Sequence, residues 1–425
     1  MQRFNDFPVA FDLGREAVSI APTNALAFRQ LAGAAAMTNR HQEALQACAQ
    51  AIKLAPDDPM LRVLMGSLEA DAGQYDKALA QLGTSLSQGL PVREAFRAHK
   101  ELARVLDKLG RFDEVFGHLH ESARLAPALP EYSNQPAAQL LGMIQANRKG
   151  FDRALTARWA AASFLPDAPA PVFLIGFFRS GTTLTQEVLD AHPDVFVADE
   201  IGFISAIQRQ LHQIDPTPQD TASKLRKLDA QGIARLRSAY WRRVHDHFGD
   251  SLGGRMLVDK FTMNTIDIGL INTIFPDAKV IFVVRDPRDV CLSCFMQLMV
   301  PSAATAHLLS WRGTAAFYSC VLDWWTHVSP LMTAQCIQFR YEDAIADFEG
   351  TFRGVFRFLG LPWDPAVASF HRHTAGKYVS SPSRAQVAQP LYSSSVARWR
   401  HYAPEFEPVA DQLRPWIAAL GYDQH

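Results

Sequence analysis

The chain has 425 residues, of which 48% are hydrophobic and 20% are charged, and its formal net charge is −1 at pH 7. This length predicts two or three domains of an ordinary globular protein. The near-zero charge excludes a global basic field for nucleic acid or an anionic membrane surface. Any anion site must therefore arise from locally placed side chains.

The apolar stretches, the N-terminal residues and the cysteines restrict the possible classes of protein. No apolar stretch approaches the roughly 18 residues that a membrane span needs. The first residues, with Asp6 and Asp12, lack the apolar core of a secretory signal, so we expect a soluble, cytoplasmic protein. The five cysteines are too few and too scattered for a disulfide framework. Cys291 and Cys294 have no second cysteine pair or histidine set beside them, so we predict no metal site.

A period of 34 residues runs through the first third of the chain. The pairs that share it are Ala32 and Gly66, Ala44 and Ala78, and Pro22 and Pro56. A third copy follows from about Arg97 to Pro127. This is the period of the tetratricopeptide repeat, in which pairs of helices bury their apolar faces by stacking. We therefore predict a tetratricopeptide array over residues 1–130.

The start of this array is irregular. The segment that ends at Pro22 matches only the second helix of a repeat, so either the native chain starts upstream or residues 1–22 cap the array in an atypical way. Such arrays commonly bind a peptide or a partner protein, and a rigid spacer or a homodimerisation arm is the alternative. A helical linker with a proline-rich end is predicted over residues 131–170.

A strand, a glycine loop and a helix are predicted next. The apolar run Val172–Ile175 reads as a buried strand. Gly176 and Gly181 have the spacing of the phosphate-binding loop Gly-x-x-x-x-Gly-Lys-Ser/Thr, but Thr182 stands where that pattern has lysine. Arg179 instead places a guanidinium fork inside the loop, which suits an anion with two presented oxygens. An ordinary strand-to-helix turn is the alternative interpretation.

Apolar runs alternate with helical stretches through residues 171–425, which predicts a P-loop-like, mainly parallel, doubly wound sheet. The predicted strands are Val172–Gly176, Met256–Asp259, Val280–Val284 and Ile337–Arg340. Ligands bind such sheets beyond the carboxyl ends of the strands. One polar residue comes just after each predicted strand, so we expect these four to line one rim: Arg179, Lys260, Arg285 and Tyr341.

Two segments carry a resemblance to a known family. Arg179–Leu184, followed by the run Leu189–Pro193, resembles the 5′-phosphosulfate loop of the sulfotransferases. The sequence of this segment most resembles those of the protein-tyrosine sulfotransferases and their bacterial relatives with tetratricopeptide repeats. The second segment has Arg285 at a strand end and Ser293 eight residues later, the spacing at which the family holds the 3′-phosphate of its nucleotide.

The resemblance implies transfer of a sulfuryl group from 3′-phosphoadenosine 5′-phosphosulfate to an acceptor hydroxyl, leaving adenosine 3′,5′-bisphosphate. A magnesium ion is not required, because sulfuryl transfer involves less charge than phosphoryl transfer. Tyr341 matches the family tyrosine that contacts the adenine. The nucleotide-binding residues implied are Arg179, Ser180, Gly181, Thr182, Thr183, Leu184, Arg285, Ser293 and Tyr341.

The resemblance also assigns catalytic roles. Glu200 matches the glutamate that takes the acceptor proton, with Asp199 as its neighbouring competitor. Lys260 matches the lysine that neutralises charge on the leaving oxygen, and Arg179 contributes to catalysis as well as binding. A carboxylate stabilised at a helix start is the alternative for Glu200. His192 could compete as the base, although its place before Pro193 favours a structural role.

The resemblance is loosest towards the end of the chain. Ser380–Ser383 and Gln386–Tyr392 resemble the stretch that closes over the nucleotide, but Gln389 stands where the tyrosine-sulfating enzymes have lysine. Arg384 or Arg398 could replace that charge. The acceptor therefore stays open among a protein tyrosine, a sugar hydroxyl and a small molecule.

Two other functions remain as alternatives. A P-loop nucleotide kinase has the same fold class, but Thr182 replaces its lysine and no clear magnesium carboxylate follows an apolar strand. A non-catalytic tetratricopeptide scaffold would bind partners only. The presence of Glu200, Lys260, Arg285 and Ser293 argues against that scaffold.

Overall fold

The computed structural model describes residues 7–160, 170–217, 220–371 and 395–423. These residues form two compact units. The first contains the described residues up to Gln135 together with Phe295–Trp311, and the second contains the others. The domain boundaries predicted at residues 130 and 170 stay predictions.

Seven consecutive helices make up most of the first unit. They are α1 (Phe7–Ile20), α2 (Ala25–Met37), α3 (His41–Leu54), α4 (Pro59–Asp71), α5 (Tyr75–Ser87), α6 (Val92–Lys108) and α7 (Phe112–Leu125). Each helix packs against the next one in the chain. The side chains of Asn24 and Asp58 accept hydrogen bonds from the first turns of α2 and α4, which fixes where these helices begin. The prediction of a helical N-terminal region is confirmed, and its assignment to the tetratricopeptide class stays a prediction.

Small residues let neighbouring helices of this unit approach closely. Ala32, Ala44 and Ala78 are fully buried. A Cβ atom added to Gly66 would lie 2.7 Å from Cγ of Leu82, so α4 and α5 are in contact at this glycine. The small residues that carry the 34-residue period are therefore positions where helices meet, whereas Pro22 and Pro56 lie in exposed turns.

The first unit ends with a short helix and a separate segment of the chain. Helix α8 (Pro130–Ser133) carries Tyr132, whose hydroxyl donates a 2.8 Å hydrogen bond to the carbonyl oxygen of Met299. The Tyr132 ring packs on Phe96 with a centroid separation of 5.8 Å. This packing attaches the segment Phe295–Trp311 to the helices.

The second unit is built on a five-stranded parallel sheet. Its strands are β1 (Val172–Gly176), β2 (Val195–Asp199), β3 (Met256–Lys260), β4 (Lys279–Val284) and β5 (Gln335–Arg340), in the order β2-β3-β1-β4-β5. All four pairings are parallel, which confirms the predicted parallel sheet. The four predicted strands are present, and the edge strand β2 was not predicted.

Helices cover both faces of the sheet. The helices that belong wholly or mainly to the second unit are α9 (Ala137–Gly150), α10 (Arg153–Thr156), α11 (Thr182–Asp190), α12 (Ile204–Ile214), α13 (Thr221–Lys227), α14 (Ala230–Phe248), α15 (Ile268–Ile274), α16 (Pro287–Met296), α17 (Trp311–Val328), α18 (Tyr341–Ala346), α19 (Phe348–Leu359) and α20 (Ala410–Ala419). Leu174 of β1 packs in a core with α11 and α19, whereas its neighbour Phe173 contacts Tyr240 of α14 and Phe275. Alternate residues of one strand thus serve opposite faces. Of the described helices, none combines the length and the apolar character that crossing a membrane requires.

Candidate functional site

The loop after β1 depends on its two glycines. The hydroxyl of Thr265 donates to the carbonyl oxygen of Gly176 at 2.6 Å. A Cβ on Gly176 would lie 2.7 Å from the carbonyl oxygen of Val283. Gly181 has φ of +107°, and a Cβ there would lie 2.6 Å from Cδ2 of Tyr341. Any larger residue at either position would force neighbouring atoms to move, so the loop backbone lies closely against β4 and α18.

The loop leads into the N-terminus of α11. This helix has nine residues, and its N-cap Gly181 provides no side-chain hydrogen bond. The backbone N–H groups of a first helical turn lack partners within the helix and attract anions. Ser180, Thr182 and Thr183 are all buried here. Among the described residues, the buried hydroxyl oxygen of Ser180 has no hydrogen-bond partner.

The structure brings together the three residues Arg179, Arg285 and Ser293. Nε of Arg179 donates to the hydroxyl of Ser293 at 2.9 Å, although 114 residues separate them in sequence. Arg285 donates from Nη1 to the carbonyl oxygen of Arg179 at 3.2 Å. Nε of Arg285 is buried without a hydrogen-bond partner in the described part of the chain. The loop that carries Arg179 and the segment that carries Arg285 and Ser293 therefore lie next to each other.

Tyr341 packs beside Arg285. The guanidinium carbon of Arg285 is 4.9 Å from the centroid of the Tyr341 ring. The Tyr341 hydroxyl is 2.8 Å from the hydroxyl oxygen of Ser395. Asp289 accepts hydrogen bonds from the backbone of Ala397 and Trp399, at 2.8 and 2.9 Å. Residues 395–399 are thus held beside the arginine, and neither Asp289 nor Ser395 was among the predicted site residues.

The ends of β2 and β3 place three charged groups side by side. Nζ of Lys260 lies 2.8 Å from Oε1 of Glu200 and 3.1 Å from Oδ1 of Asp199. The backbone N–H of Glu200 donates to the carbonyl oxygen of Lys260 at 2.8 Å. Burial lowers the pKa of Lys260, but the carboxylates of Asp199 and Glu200 outweigh burial and leave it raised. Lys260 is therefore an ammonium ion at neutral pH.

The lysine and the glutamate differ in access to solvent. The Lys260 side chain is 1% exposed, whereas that of Glu200 is 38% exposed. Glu200 follows a strand, and the next helix begins at Ile204, so the alternative of a carboxylate at a helix start is wrong. An incoming molecule could reach Glu200 while Lys260 stays covered.

Thr262 connects this charged group to the anion loop. Its hydroxyl donates to Oε1 of Glu200 at 3.4 Å and lies 3.1 Å from the hydroxyl oxygen of Thr182. Thr262 is buried. The sequence analysis missed this residue, and its position two residues after Lys260 is the only signal that could have indicated it.

His192 is held by structural contacts. Its Nε2 lies 3.1 Å from the carbonyl oxygen of Pro362, and its Nδ1 accepts from the backbone N–H of Asp194 at 3.2 Å. The ring is buried beside Phe356. Because both ring nitrogens have protein partners, this arrangement favours the structural role over that of a base.

The structure also bears on the cysteine pair and on the predicted closing stretch. Cys291 and Cys294 are buried thiols that form no disulfide bond with a described residue, and burial raises the pKa of Cys291 well above its usual value. Within the described ranges, no group of three or more His, Cys, Asp or Glu residues is placed to hold a metal ion. The predicted closing stretch lies outside the described residues, including Ser380–Ser383, Arg384 and Gln386–Tyr392 with Gln389.

The second unit is similar in sequence to known transferases. The sequence model of the Sulfotransferase family matches residues 171–365. Protein-tyrosine sulfotransferase 1 of Danio rerio is 28% identical over 272 residues, covering 60% of this chain and 72% of that protein. Protein-tyrosine sulfotransferase A of Caenorhabditis elegans is 26% identical over 267 residues, covering 59% of this chain and 67% of that protein.

The chain is also similar to a protein that matches nearly its whole length and to a solved structure. An uncharacterized protein of Aquifex aeolicus is 27% identical over 420 residues, which is 97% of this chain; the chain spans 53% of that protein's length. The sulfotransferase domain from the curacin biosynthetic pathway matches 61% of this chain and 99% of its own, with 18% identity and a TM-score of 0.40.

The family match coincides with the site. Residues 171–365 include the site residues from Arg179 to Tyr341, whereas residues 395–399 lie beyond the match. The resemblance of the catalytic region to sulfotransferases is thereby confirmed.

Proposed function

We propose that the chain transfers a sulfuryl group from 3′-phosphoadenosine 5′-phosphosulfate to an acceptor hydroxyl. The observation that carries this proposal is the convergence of two groups of anion-binding residues, the loop with Arg179 and the strand end with Arg285. The hydrogen bond between Arg179 and Ser293 joins these groups directly. Close by, Lys260 and Glu200 form an ion pair at the ends of neighbouring strands.

The polar groups of the site suit a nucleotide with phosphates on two positions. Ser180 and Arg285 each have a buried polar atom without a partner among the described residues. A buried unpaired polar group is unfavourable by about 1–3 kcal/mol, so a ligand oxygen that pairs with it stabilises the bound state. We assign the loop and the N-terminus of α11 to the 5′-phosphosulfate. We assign Arg285 and Ser293 to the 3′-phosphate, with Tyr341 beside the adenine.

The residues at the ends of β2 and β3 supply the chemistry. The bound donor provides the sulfur atom and a phosphate leaving group. Glu200 accepts the proton of the acceptor hydroxyl as its oxygen bonds to sulfur, a contribution of roughly a hundred- to ten-thousandfold in rate. Lys260, held as an ammonium ion, stabilises the negative charge on the leaving oxygen as the sulfur–oxygen bond breaks.

The exposure of Glu200 gives the acceptor a route to the base but leaves the acceptor class open. This side chain is more than a third exposed, so the acceptor reaches it from solvent. A protein tyrosine, a sugar hydroxyl or a small alcohol all satisfy a glutamate base. We further propose that the helices of the first unit form a tetratricopeptide array that binds a partner protein.

Transfer of label from a donor that carries ³⁵S tests the activity. The purified chain is incubated with labelled donor and fractionated cell lysate, with Lys260→Met as the matched inactive control. We expect label in at least one fraction with the wild-type protein and a loss of at least a hundredfold with the variant. Equal labelling by both proteins, or none by either at saturating donor, contradicts the proposal.

A further inference from the structure

The first unit has a cleft that the proposed reaction does not use. Its volume is about 370 Å³, which is at the lower end of the range for small-ligand sites. It lies between helix α6, helix α8 and the segment after residue 297. The lining residues are Arg93, Phe96, Arg97, Glu131, Tyr132, Leu298, Met299 and Pro301.

The floor of the cleft is apolar and fixed in place. Phe96 and Tyr132 pack together, and both are buried. The hydrogen bond from Tyr132 to Met299 holds the opposite wall against this floor. At its edge, Val300 is 83% exposed, the largest value among the exposed large hydrophobic residues of the described chain. An apolar side chain entering the cleft would meet both an aromatic floor and an aliphatic wall.

The charges at the cleft do not balance. Arg93 pairs with Glu131 through its Nε at 2.8 Å and its Nη2 at 2.9 Å. Arg97 lies one turn further along α6, is exposed, and makes no hydrogen bond or ion pair with any described residue. Two guanidinium groups and one carboxylate therefore line the cleft, and the exposed Arg97 is accessible to an incoming anion.

We propose that this cleft binds a polypeptide segment in which an apolar or aromatic side chain is followed directly by an aspartate or glutamate. The apolar side chain packs on Phe96 and Tyr132, and the carboxylate pairs with Arg97. Arginine forms two parallel hydrogen bonds to a carboxylate, which fixes the direction of the peptide as well as its charge. The segment belongs to the partner protein of the proposed tetratricopeptide array, on which this inference rests, and its binding does not depend on nucleotide.

Fluorescence anisotropy with a labelled peptide tests the proposal. The probe is fluorescein-Gly-Gly-Phe-Asp-Glu-Leu-Gly, which has no hydroxyl side chain to sulfate and therefore separates binding from turnover. One control peptide replaces Asp-Glu by Asn-Gln, and the other replaces Phe and Leu by Ser. We expect saturable binding of the probe to the full chain, and binding at least about tenfold weaker for each control peptide.

Two variants with opposite expected effects on probe binding make the test specific. Arg97→Glu is expected to weaken probe binding at least about tenfold, whereas Glu131→Gln frees Arg93 and is expected to strengthen it. Arg15→Glu makes the same charge change on the exposed surface of α1 and is expected to have no effect. Circular dichroism checks that each variant is folded. Equal binding by the Arg97 and Arg15 variants, or no saturation below about 1 mM probe, overturns the proposal.

Discussion

Arg179 and Glu200 are held in backbone conformations that side chains seldom adopt. Their φ angles are +65° and +52°, in the left-handed region, and four non-glycine residues in the described chain share this feature. Such conformations are unfavourable by about 1 kcal/mol or more, and they persist where surrounding contacts hold them. The contacts here are Arg285 on the carbonyl of Arg179 and Lys260 on the backbone of Glu200. Both residues thus have their directions set by other members of the site.

The separate roles of Glu200 and Arg285 predict separable defects. Glu200→Gln removes the proton acceptor, so turnover should fall roughly a hundred- to ten-thousandfold while nucleotide affinity stays within about threefold. Arg285→Ala removes a charged donor, so affinity should fall about ten- to a hundredfold. Calorimetry with adenosine 3′,5′-bisphosphate and an assay with labelled donor measure the two effects.

Asp199→Asn is the matched control for the base. Asp199 contacts the same lysine, at 3.1 Å, but it is not the proposed proton acceptor. We expect a smaller loss of turnover than for Glu200→Gln. The opposite ranking would reassign the base to Asp199.

Thr262 provides a second prediction, because it links Glu200 to the loop. Thr262→Val keeps the shape and removes the hydroxyl, so kcat should fall about two- to tenfold with KM for the donor nearly unchanged. Thr262→Ser should restore kcat. Steady-state kinetics of the two variants test whether the Thr262 hydroxyl contributes to turnover. A valine variant with normal kcat would remove Thr262 from the mechanism.

Sequence reasoning found the site residues that stand in continuous motifs. Arg179 and Arg285 could be predicted because glycine loops and strand ends are local patterns, whereas Ser293 was assigned through its spacing in the family resemblance. Thr262, Asp289 and Ser395 could not, because their contacts depend on how distant segments meet. A threonine or serine outside a motif has no local signal that distinguishes it from any other.

At the scale of elements, the tight contact between α4 and α5 yields a test. Gly66→Ala places a Cβ 2.7 Å from Cγ of Leu82, so we expect a loss of roughly 1–3 kcal/mol in unfolding free energy. The matched control is Gly83→Ala on α5, where a Cβ meets nothing within 4 Å. That change should stabilise by up to about 1 kcal/mol through helix propensity.

Urea unfolding of the full chain followed by circular dichroism compares these two alanine variants. We expect the urea midpoints of the two variants to move in opposite directions relative to wild type. A Gly66 variant as stable as the Gly83 variant would show that the helices can move apart there at little cost.

The edge strand β2 was not predicted, although its sequence is typical of a strand. Val195–Asp199 has five residues, of which only the first and fourth are fully buried. The central strands β1 and β4 are buried along nearly their whole length and give continuous apolar runs. Val195–Ala198 is nevertheless a continuous apolar run as long as Val172–Ile175, so the sequence contained a strand signal that the prediction did not use.

At the scale of the whole molecule, Asp259 predicts how stability depends on pH. Burial raises its pKa from 3.8 to about 7, although the hydrogen bond from Tyr240 lowers it in part. In the unfolded chain this carboxyl ionises near pH 4, whereas in the folded protein it stays protonated up to about pH 7. Stability from this group is therefore complete below pH 4 and declines as pH rises to about 7.

Asp259→Asn removes this dependence while keeping an acceptor for the Tyr240 hydroxyl, which now lies 3.0 Å from Oδ2. Thermal unfolding between pH 5 and pH 8 is the measurement. We expect the wild-type protein to lose stability relative to the variant across the lower part of this range. Parallel curves for both proteins would mean that Asp259 is ionised when buried.

The organisation of the whole chain was only partly accessible from sequence. A 34-residue period and alternating apolar runs predicted helices first and a parallel sheet second, and both are present. The inclusion of Phe295–Trp311 in the first unit could not be predicted, because it depends on contacts such as that between Tyr132 and Met299. Sequence periodicity describes segments, whereas units are defined by what those segments contact.

Isothermal titration calorimetry tests the central claim, that two groups of donors hold the two phosphate-bearing ends of one adenosine nucleotide. Adenosine 3′,5′-bisphosphate without metal is compared with magnesium-ATP on the same protein. We predict tight binding of the bisphosphate, weakened by Arg285→Ala, and much weaker binding of magnesium-ATP. Preference for magnesium-ATP would indicate a kinase, and binding of neither nucleotide would contradict the account.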